Sequence, residues 1–543
     1  MSRESAENAP MSTARTPRAS PTDGAATARR LALSTAIFSA ATGLSRLLGL
    51  LREIVAANYF GVRGPINAFT VAFQIPNLVR ALVADAALSS AFVPVFSELL
   101  EKGERARAWR VASTLFWLLL LGLAAVTATF VLAAPLLVPP MTDAYDDLTV
   151  TLAQILFPIV ALLGVSGIVV GVLNSYEHFS VPALTPVFWN LAIIAGLVIG
   201  VPRADSPSAE LYVYAGSIVA GTVIQVLLPV PWLRGLDGRL RLVLDVRDPA
   251  VARVFRLMGP VTLSLGLINV NAVIGVVFAS KLIDPTESPN AIDKAFRVYM
   301  LPQGMFSVAV ATVLFPALAR LAARNDMSGF RDLVSTGLRQ INFLLLPAAA
   351  ASAVLAEPIV RLLYERGRFD PEETPVVAAA LAAFALGLAF NGMMLMLNRA
   401  FFSLQLPWLP TAVALGNVAF NVALYAALYR VGTWGIPLAV SIANIAGTAA
   451  LVALLRRRLG RLDMTATVAS FVRVAVASAL LAGVAYAVWF GLDDALGRTF
   501  PAQLTSVSAA LIAGGLVYLA ACRLLGVREI EALRSLRGGR RRG

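Results

Sequence analysis

The chain has 543 residues, 58% of them hydrophobic and only 14% charged, with a formal net charge of +13. Soluble domains carry about 25% charged residues, so a soluble cytosolic class is excluded. One cysteine, Cys522, and one histidine, His178, exclude an internal disulfide framework and a Cys/His metal cluster, and leave histidine-dependent transferase or phosphatase chemistry little to work with.

Residues 1–30 are rich in Ala, Ser, Thr, Pro and Arg without an apolar run, which predicts a disordered cytoplasmic tail rather than a secretory signal. From Leu31 onward fourteen apolar segments follow, each long enough to span a bilayer at about 20 residues. They lie near 31–58, 66–98, 108–138, 148–173, 181–201, 211–233, 257–280, 291–319, 333–363, 374–398, 406–429, 434–455, 468–490 and 502–522. The loops at 102–110, 234–256, 320–331 and 456–461 are basic, whereas Asp143, Asp146, Asp147, Glu372, Glu373, Asp493 and Asp494 mark the intervening ones. This positive-inside bias predicts an even helix count with both termini cytoplasmic. The basic residues are 42 Arg against 3 Lys, a ratio that a GC-rich genome explains. The basic and aromatic clusters of RNA-binding modules are missing, so no nucleic-acid partner is expected.

The first segment holds Ser45-Arg46-Leu47-Leu48-Gly49-Leu50-Leu51-Arg52-Glu53. Arg46 sits about 15 residues in, roughly 22 Å at 1.5 Å per residue, and Arg52 lies about 120° round an ideal helix from it. An arginine near a bilayer centre costs about 2.5–3.5 kcal/mol on insertion scales, so it needs a watery cavity or an anion. Its planar fork of donors matches phosphate. Glu53 can neutralise one arginine locally, and Arg52 can instead snorkel to the nearer interface. In the second segment Pro76 opens the backbone ladder, tolerable only beside protein or water, and precedes Arg80. Arg80 can pair with Asp85 or Glu53 instead of serving a ligand.

The eighth segment carries Arg297 with Pro302, Gly304 and Pro316, a density of breakers that suggests a bent gating helix; Pro76 is a gating position by the same logic. Arg339, Arg361 and Arg473 lie near predicted helix ends, where snorkelling is the preferred reading. Asn417 and Asn421, four apart on the eleventh segment, offer a weak cation site, although such pairs more often hydrogen-bond between helices. His178 is expected in an interfacial loop.

An internal repeat organises these segments. Residues 67–75 echo 290–298, Pro135 echoes Pro358, Leu173-Asn174 echoes Leu397-Asn398 and Pro182 echoes Pro407, all near one offset. The prediction is an all-α polytopic membrane protein with two six-helix lobes, 31–233 and 257–460, joined by a basic cytoplasmic linker at 234–256. Helices thirteen and fourteen, 468–522, stand outside the repeat, and a basic cytoplasmic tail follows at 523–543. Two lobes around a cavity is an alternating-access plan.

The motif Ser45-Arg46-Leu47-Leu48-Gly49 with Arg52-Glu53 is followed by Phe60-Gly61, Pro76-Asn77-Leu78-Val79-Arg80 and Ala91-Phe92-Val93-Pro94. Then come Met258-Gly259-Pro260, Leu301-Pro302-Gln303-Gly304, Leu314-Phe315-Pro316 and Leu362-Leu363-Tyr364-Glu365-Arg366-Gly367-Arg368-Phe369-Asp370. In this order the motifs resemble the MurJ (MviN) flippases over about residues 32–525. The resemblance implies a fourteen-helix member of the multidrug/oligosaccharidyl-lipid/polysaccharide exporter superfamily in the bacterial cytoplasmic membrane. It implies movement of lipid II, the undecaprenyl-diphosphate-linked peptidoglycan precursor, from the inner to the outer leaflet. Arg46, Arg52 and Arg297 match the family's cavity arginines, Arg80 matches a further basic position, and the last two helices match its lipid-tail groove. Lipid II, membrane lipid and the cell-wall synthesis machinery are the partners expected; no cofactor is, and the coupling ion is unassigned.

Three departures stand out. Asn67 replaces a common aspartate, and Met300 replaces an acidic residue three positions after the eighth-helix arginine. The seventh and eleventh helices offer Asn269, Asn271, Asn417 and Asn421 without the carboxylate of sodium-binding members, which argues against sodium coupling. The rival readings are a flippase for another undecaprenyl-linked oligosaccharide, a multidrug antiporter of the same superfamily, which would need membrane carboxylates, and a non-transporting scaffold.

Overall fold

The computed structural model describes residues 21–83, 86–460 and 464–530. Among these residues the regular structure is helical: α1 (Pro21–Phe60), α2 (Ile66–Val83), α3 (Ala86–Glu101), α4 (Arg105–Leu137), α5 (Asp146–Leu156), α6 (Ile159–Ser175), α7 (Ser180–Ala195), α8 (Pro207–Leu227), α9 (Pro249–Phe278) and α10 (Ser288–Pro302). The chain continues through α11 (Val308–Ala323), α12 (Met327–Val354), α13 (Ala356–Tyr364), α14 (Thr374–Ala385), α15 (Leu388–Ser403), α16 (Trp408–Leu428), α17 (Gly435–Leu459), α18 (Met464–Leu496) and α19 (Phe500–Leu524). Nine spans among the described residues are long and apolar enough to cross a membrane alone, and eleven when two bent pairs count as one span each. The remaining expected segments are helical as α1, α2–α3 and α9, so over the described residues the fourteen apolar segments correspond to helix.

α1 begins at Pro21, ahead of the expected start at Leu31, because Ala25, Ala26 and Ala28 carry the highest helix propensity. The rest of the expected tail, 1–20, and the end of the other, 531–543, lie outside the described residues. α9 begins at Pro249, inside the segment expected as a linker. Asp248 caps it, accepting from Ala250 N at 2.8 Å while receiving both Nε and Nη2 of Arg107 at 2.9 and 3.0 Å.

Several spans are broken, and each break has a local cause. α12 and α13 bend by 76°, where Pro358 in the first turn of α13 cannot donate to the preceding helix. α14 and α15 bend by 43°, and the carbonyls freed there, of Ala383 and Phe384, accept from the Ser441 hydroxyl on α17 at 2.6 and 3.2 Å. Between α10 and α11 the residues Gln303–Ser307 form a π-helical turn directly after Pro302. The missing proline N–H widens the ladder without breaking the span. The breakers of the eighth segment thus give a bulge in one continuous span of Ser288–Ala323 rather than a broken one.

Three cores build the two lobes. α4, α5, α7 and α8 close round Leu152, Phe157, Leu197 and Tyr214, while α3, α4, α6 and the first turns of α9 close round Phe92, Trp109 and Val254. α10, α12, α14, α15 and α17 close round Phe330, Leu345, Leu381 and Phe401. The α18–α19 hairpin leans on α12 and α13, where Tyr518 donates to the Phe343 carbonyl at 2.6 Å. Leu132, Leu136, Ile199 and Leu516 stay exposed on the outer surface, as expected of residues facing lipid.

At the end bearing the acidic loops the two lobes are sealed together. The short α1–α2 loop turns through Gly61 and Gly64, both at positive φ. Val62 N and Arg63 N donate to the two Glu373 carboxylate oxygens at 3.0 and 2.9 Å, and Asp370 N adds a third contact at 3.3 Å. Burial raises the Glu373 carboxyl above its ordinary range, and these three backbone donors oppose the shift. Arg368 N donates to the Asn58 carbonyl at 2.9 Å, and Gly64 N to Thr286 at 2.8 Å.

Candidate functional site

Beside this seal a cavity of about 440 Å³ opens between the lobes. α1 contributes Arg52 and Glu53, α2 contributes Arg80, and α10 contributes Asp293, Lys294 and Arg297. Arg52 and Arg297, 245 positions apart by their numbers, thus reach one space from opposite lobes, together with Arg80. Four cations face two carboxylates there among the described lining residues, leaving an excess of two positive charges.

Arg52 is buried, so the snorkelling alternative for it does not hold. Its guanidinium lies 4.7 Å from the centre of the Trp189 ring, donates through Nη2 to Glu53 Oε1 at 2.6 Å and reaches Asn190 Oδ1 at 3.3 Å. Asn190 is held for this by donating to the carbonyls of Pro186 and Ser45 at 2.9 and 3.3 Å. Arg52 Nε is buried and has no hydrogen-bond acceptor among the described residues. Such an orphan donor is costly unless something else completes it.

Glu53 serves cations from both lobes. Besides Arg52, it accepts from Lys294 Nζ at 2.9 Å through Oε2 and lies 3.9 Å from Arg297 Nε through Oε1. Arg297 is paired chiefly with Asp293, one turn earlier on its own helix, at 3.1 Å. Lys294 also points its ammonium at the Tyr364 ring, 5.7 Å from the centroid. Sequence reasoning missed Asp293 and Lys294. A signal was available, since Lys294 is one of three lysines in the chain and stands one helical turn from Arg297.

The other expected residues are distributed differently. Arg80 lines the cavity and donates to Asn77 Oδ1 at 2.9 Å. Asp85 lies outside the described residues. Arg46 is exposed and stands apart from the cavity lining, with Nη1 only 3.0 Å from where a Cβ on Gly304 would sit. Gly304 therefore borders Arg46 within the π-turn that follows Pro302, and Pro76 lies inside α2 between the lining residues Gln74 and Asn77.

Asn421 is buried with Oδ1 unpartnered among the described residues, and Asn417 packs against Gly447. The two offer neutral oxygens only, and no group of three His, Cys, Asp or Glu side chains suited to a metal occurs among the described residues. Arg361 corrects the snorkelling expectation. It is buried, paired with Glu357 at 2.6 Å and with Asp493 at 3.2 Å, because the end of α18 folds over α13. Arg339 likewise pairs with Glu529 at 2.9 Å. His178 is exposed in the loop after α6, as expected.

Fixed positive charge drawn from two lobes, with an orphan guanidinium donor, is chemically complementary to an anion. The chain also resembles known proteins in sequence and in fold. The family model described as lipid II flippase MurJ matches residues 56–494. The lipid II flippase MurJ of Burkholderia cenocepacia is 31% identical over 385 residues, covering 69% of this chain and 74% of that one. A solved lipid II flippase MurJ in an inward closed conformation superposes with a TM-score of 0.75 at 24% identity, over 90% of this chain and 98% of that one. An inward-facing multidrug resistance MATE family transporter of the MOP superfamily gives 0.66 at 16% identity, over 78% and 96%.

Proposed function

This chain belongs to the lipid II flippase MurJ family, and from that premise we infer that it moves lipid II from the inner to the outer leaflet of the bacterial cytoplasmic membrane by alternating access. The observation that carries the site assignment is the convergence of Arg52, Arg80, Lys294 and Arg297 on one interlobe cavity. A diphosphate diester brings about two negative charges, which cations from both lobes complement. Arg52 and Arg297 hold the diphosphate from opposite lobes, Arg80 adds field, and Arg46, outside the cavity beside the Gly304 π-turn, meets the headgroup on its way in.

The seal at Glu373 and Asn67 closes the end we assign to the outside, so the conformation is closed outward, with both termini cytoplasmic. Transport then requires this seal to part and the opposite end to close. The α18–α19 hairpin supplies the lipid-tail surface. Val468, Val472, Val476 and Leu480, at a spacing of four, stay exposed along α18, and Leu504, Leu511 and Leu516 along α19. The chain is a transporter by this reading and performs no bond chemistry. A multidrug antiporter fits less well, since a cationic drug would meet a net positive cavity.

The test is depletion of the protein in its host with rescue by Arg52→Ala, Arg297→Ala and Arg46→Ala variants, scored by lipid II reaching the outer leaflet. Loss of externalisation with retained membrane levels is expected. Normal externalisation in all three would overturn the site.

A further inference from the structure

Lys294 lines the anion site but has been given no role of its own there, and its surroundings are tightly constrained. It is 4% exposed, on α10 of the second lobe, and its ammonium ends on Glu53 of α1, donating to Oε2 at 2.9 Å and to the backbone carbonyl of the same residue at 3.4 Å. A carboxylate beside an arginine ordinarily takes it in a two-point fork. Here Glu53 cannot. Its Oε2 is held by Lys294, so Arg52 is met by Oε1 alone, through Nη2, and Arg297 stands at 3.9 Å from that same oxygen. Arg52 Nε meanwhile has no acceptor among the described residues.

We propose that Lys294 is a positioning residue for anion binding: by holding one Glu53 oxygen it limits Glu53 to a one-point contact with Arg52 and keeps it from closing on Arg297, and so leaves further guanidinium donors available to a diphosphate. Resting on the lipid II reading above, this assigns the buried lysine a task distinct from touching the phosphate. Removing the ammonium frees Oε2, and Glu53 then becomes an internal competitor for the arginines. Removing the Glu53 charge as well abolishes the competition. A direct phosphate ligand would behave otherwise, since deleting Glu53 could not replace the lost contact.

The experiment uses the full chain in lipid nanodiscs and measures binding of purified lipid II to wild type, Lys294→Met, Glu53→Gln and the double variant, with thermal unfolding recorded for each. Lys294→Met is expected to bind about tenfold more weakly, and the double variant to return to within about threefold of wild type. Unchanged binding by Lys294→Met overturns the proposal, as does a loss that Glu53→Gln leaves unrepaired in a folded double variant. Should Lys294→Met fail to fold, Lys294→Gln takes its place in the same cycle, judged by the same outcomes. Arg52→Ala separates the two levels: if it binds lipid II as wild type does, the cavity assignment itself has failed, whatever the lysine cycle shows.

Discussion

Asn67 and Asn290, which occupy equivalent positions in the two repeats, are hydrogen-bonded to each other: the Asn290 backbone N–H donates to Asn67 Oδ1 at 2.9 Å across 223 positions. The offset seen in the sequence thus becomes a contact where the lobes meet. Asn67 Nδ2 donates in addition to the carbonyls of Val62 at 2.8 Å, Gly64 at 3.1 Å and Thr286, and Asn290 Nδ2 donates to Thr70 Oγ1 at 2.8 Å. An amide is needed here because the site asks for a donor and an acceptor on one side chain. That is the physical meaning of an asparagine where an aspartate is common.

Asn67→Ala leaves a buried backbone N–H without its acceptor and should cost about 1–3 kcal/mol. Thermal unfolding in detergent measures it. Asn67→Asp should fail to rescue fully, since a carboxylate cannot donate to the three carbonyls. Full recovery of stability in Asn67→Asp at neutral pH would count against this account of the seal.

Gly367→Ala should destabilise more than Gly64→Ala. Both glycines have positive φ, 62° and 85°, so each substitution carries backbone strain of about 1 kcal/mol or more. Only at Gly367 does the new Cβ also meet a neighbour, lying 2.3 Å from the Asn58 carbonyl oxygen; at Gly64 it meets open space. Equal melting temperatures for the two variants would contradict the close approach.

Gly304→Leu should impair transport while leaving stability within about 0.5 kcal/mol, because the atom it displaces is the far end of the exposed Arg46 side chain. Gly304→Ala should do so more mildly, since its Cβ needs only a shift of a few tenths of an ångström from the guanidinium. Lipid II externalisation against thermal unfolding separates the two effects. Wild-type transport by a folded Gly304→Leu would remove Arg46 from the entry path.

The Arg107–Asp248 pair should make stability fall at low pH. Hydrogen bonds from Arg107 hold the Asp248 carboxyl below its ordinary range. A depressed carboxyl contributes stability that is full above the unfolded pKa of about 3.9 and is lost as pH falls through the lower folded value. An acid titration of melting temperature should therefore show a decline below about pH 4 that is shallower in Asp248→Asn. Parallel curves would exclude this pair as a contributor.

Collapse of the membrane potential should slow turnover. An empty cavity lined by more cations than carboxylates among the described residues is drawn toward the negative inside, at about 2.3 kcal/mol per charge per 100 mV for full transit. Externalisation of lipid II in energised vesicles, with and without an ionophore that dissipates the potential, measures this. Identical rates would sink the potential-driven reset.

The sequence by itself determined the class, the fourteen apolar segments and the arginines that need a partner. Each of those follows from a cost the bilayer imposes on a single side chain or a single helix, whatever its neighbours are. It pointed to Arg46, Arg52, Arg80 and Arg297 as charges in search of company, and the cavity contains the last three. Only the tertiary structure decided which charges share that space. Lys294 meets Glu53 across 241 positions, and Val62 meets Glu373 across 311, because these contacts depend on which helix faces cover one another. The same dependence set Arg46 apart at the Gly304 turn and buried Arg361 under the end of α18. Helical periodicity places a charge on a face; the packing of two lobes decides whether that face meets lipid, water or a carboxylate.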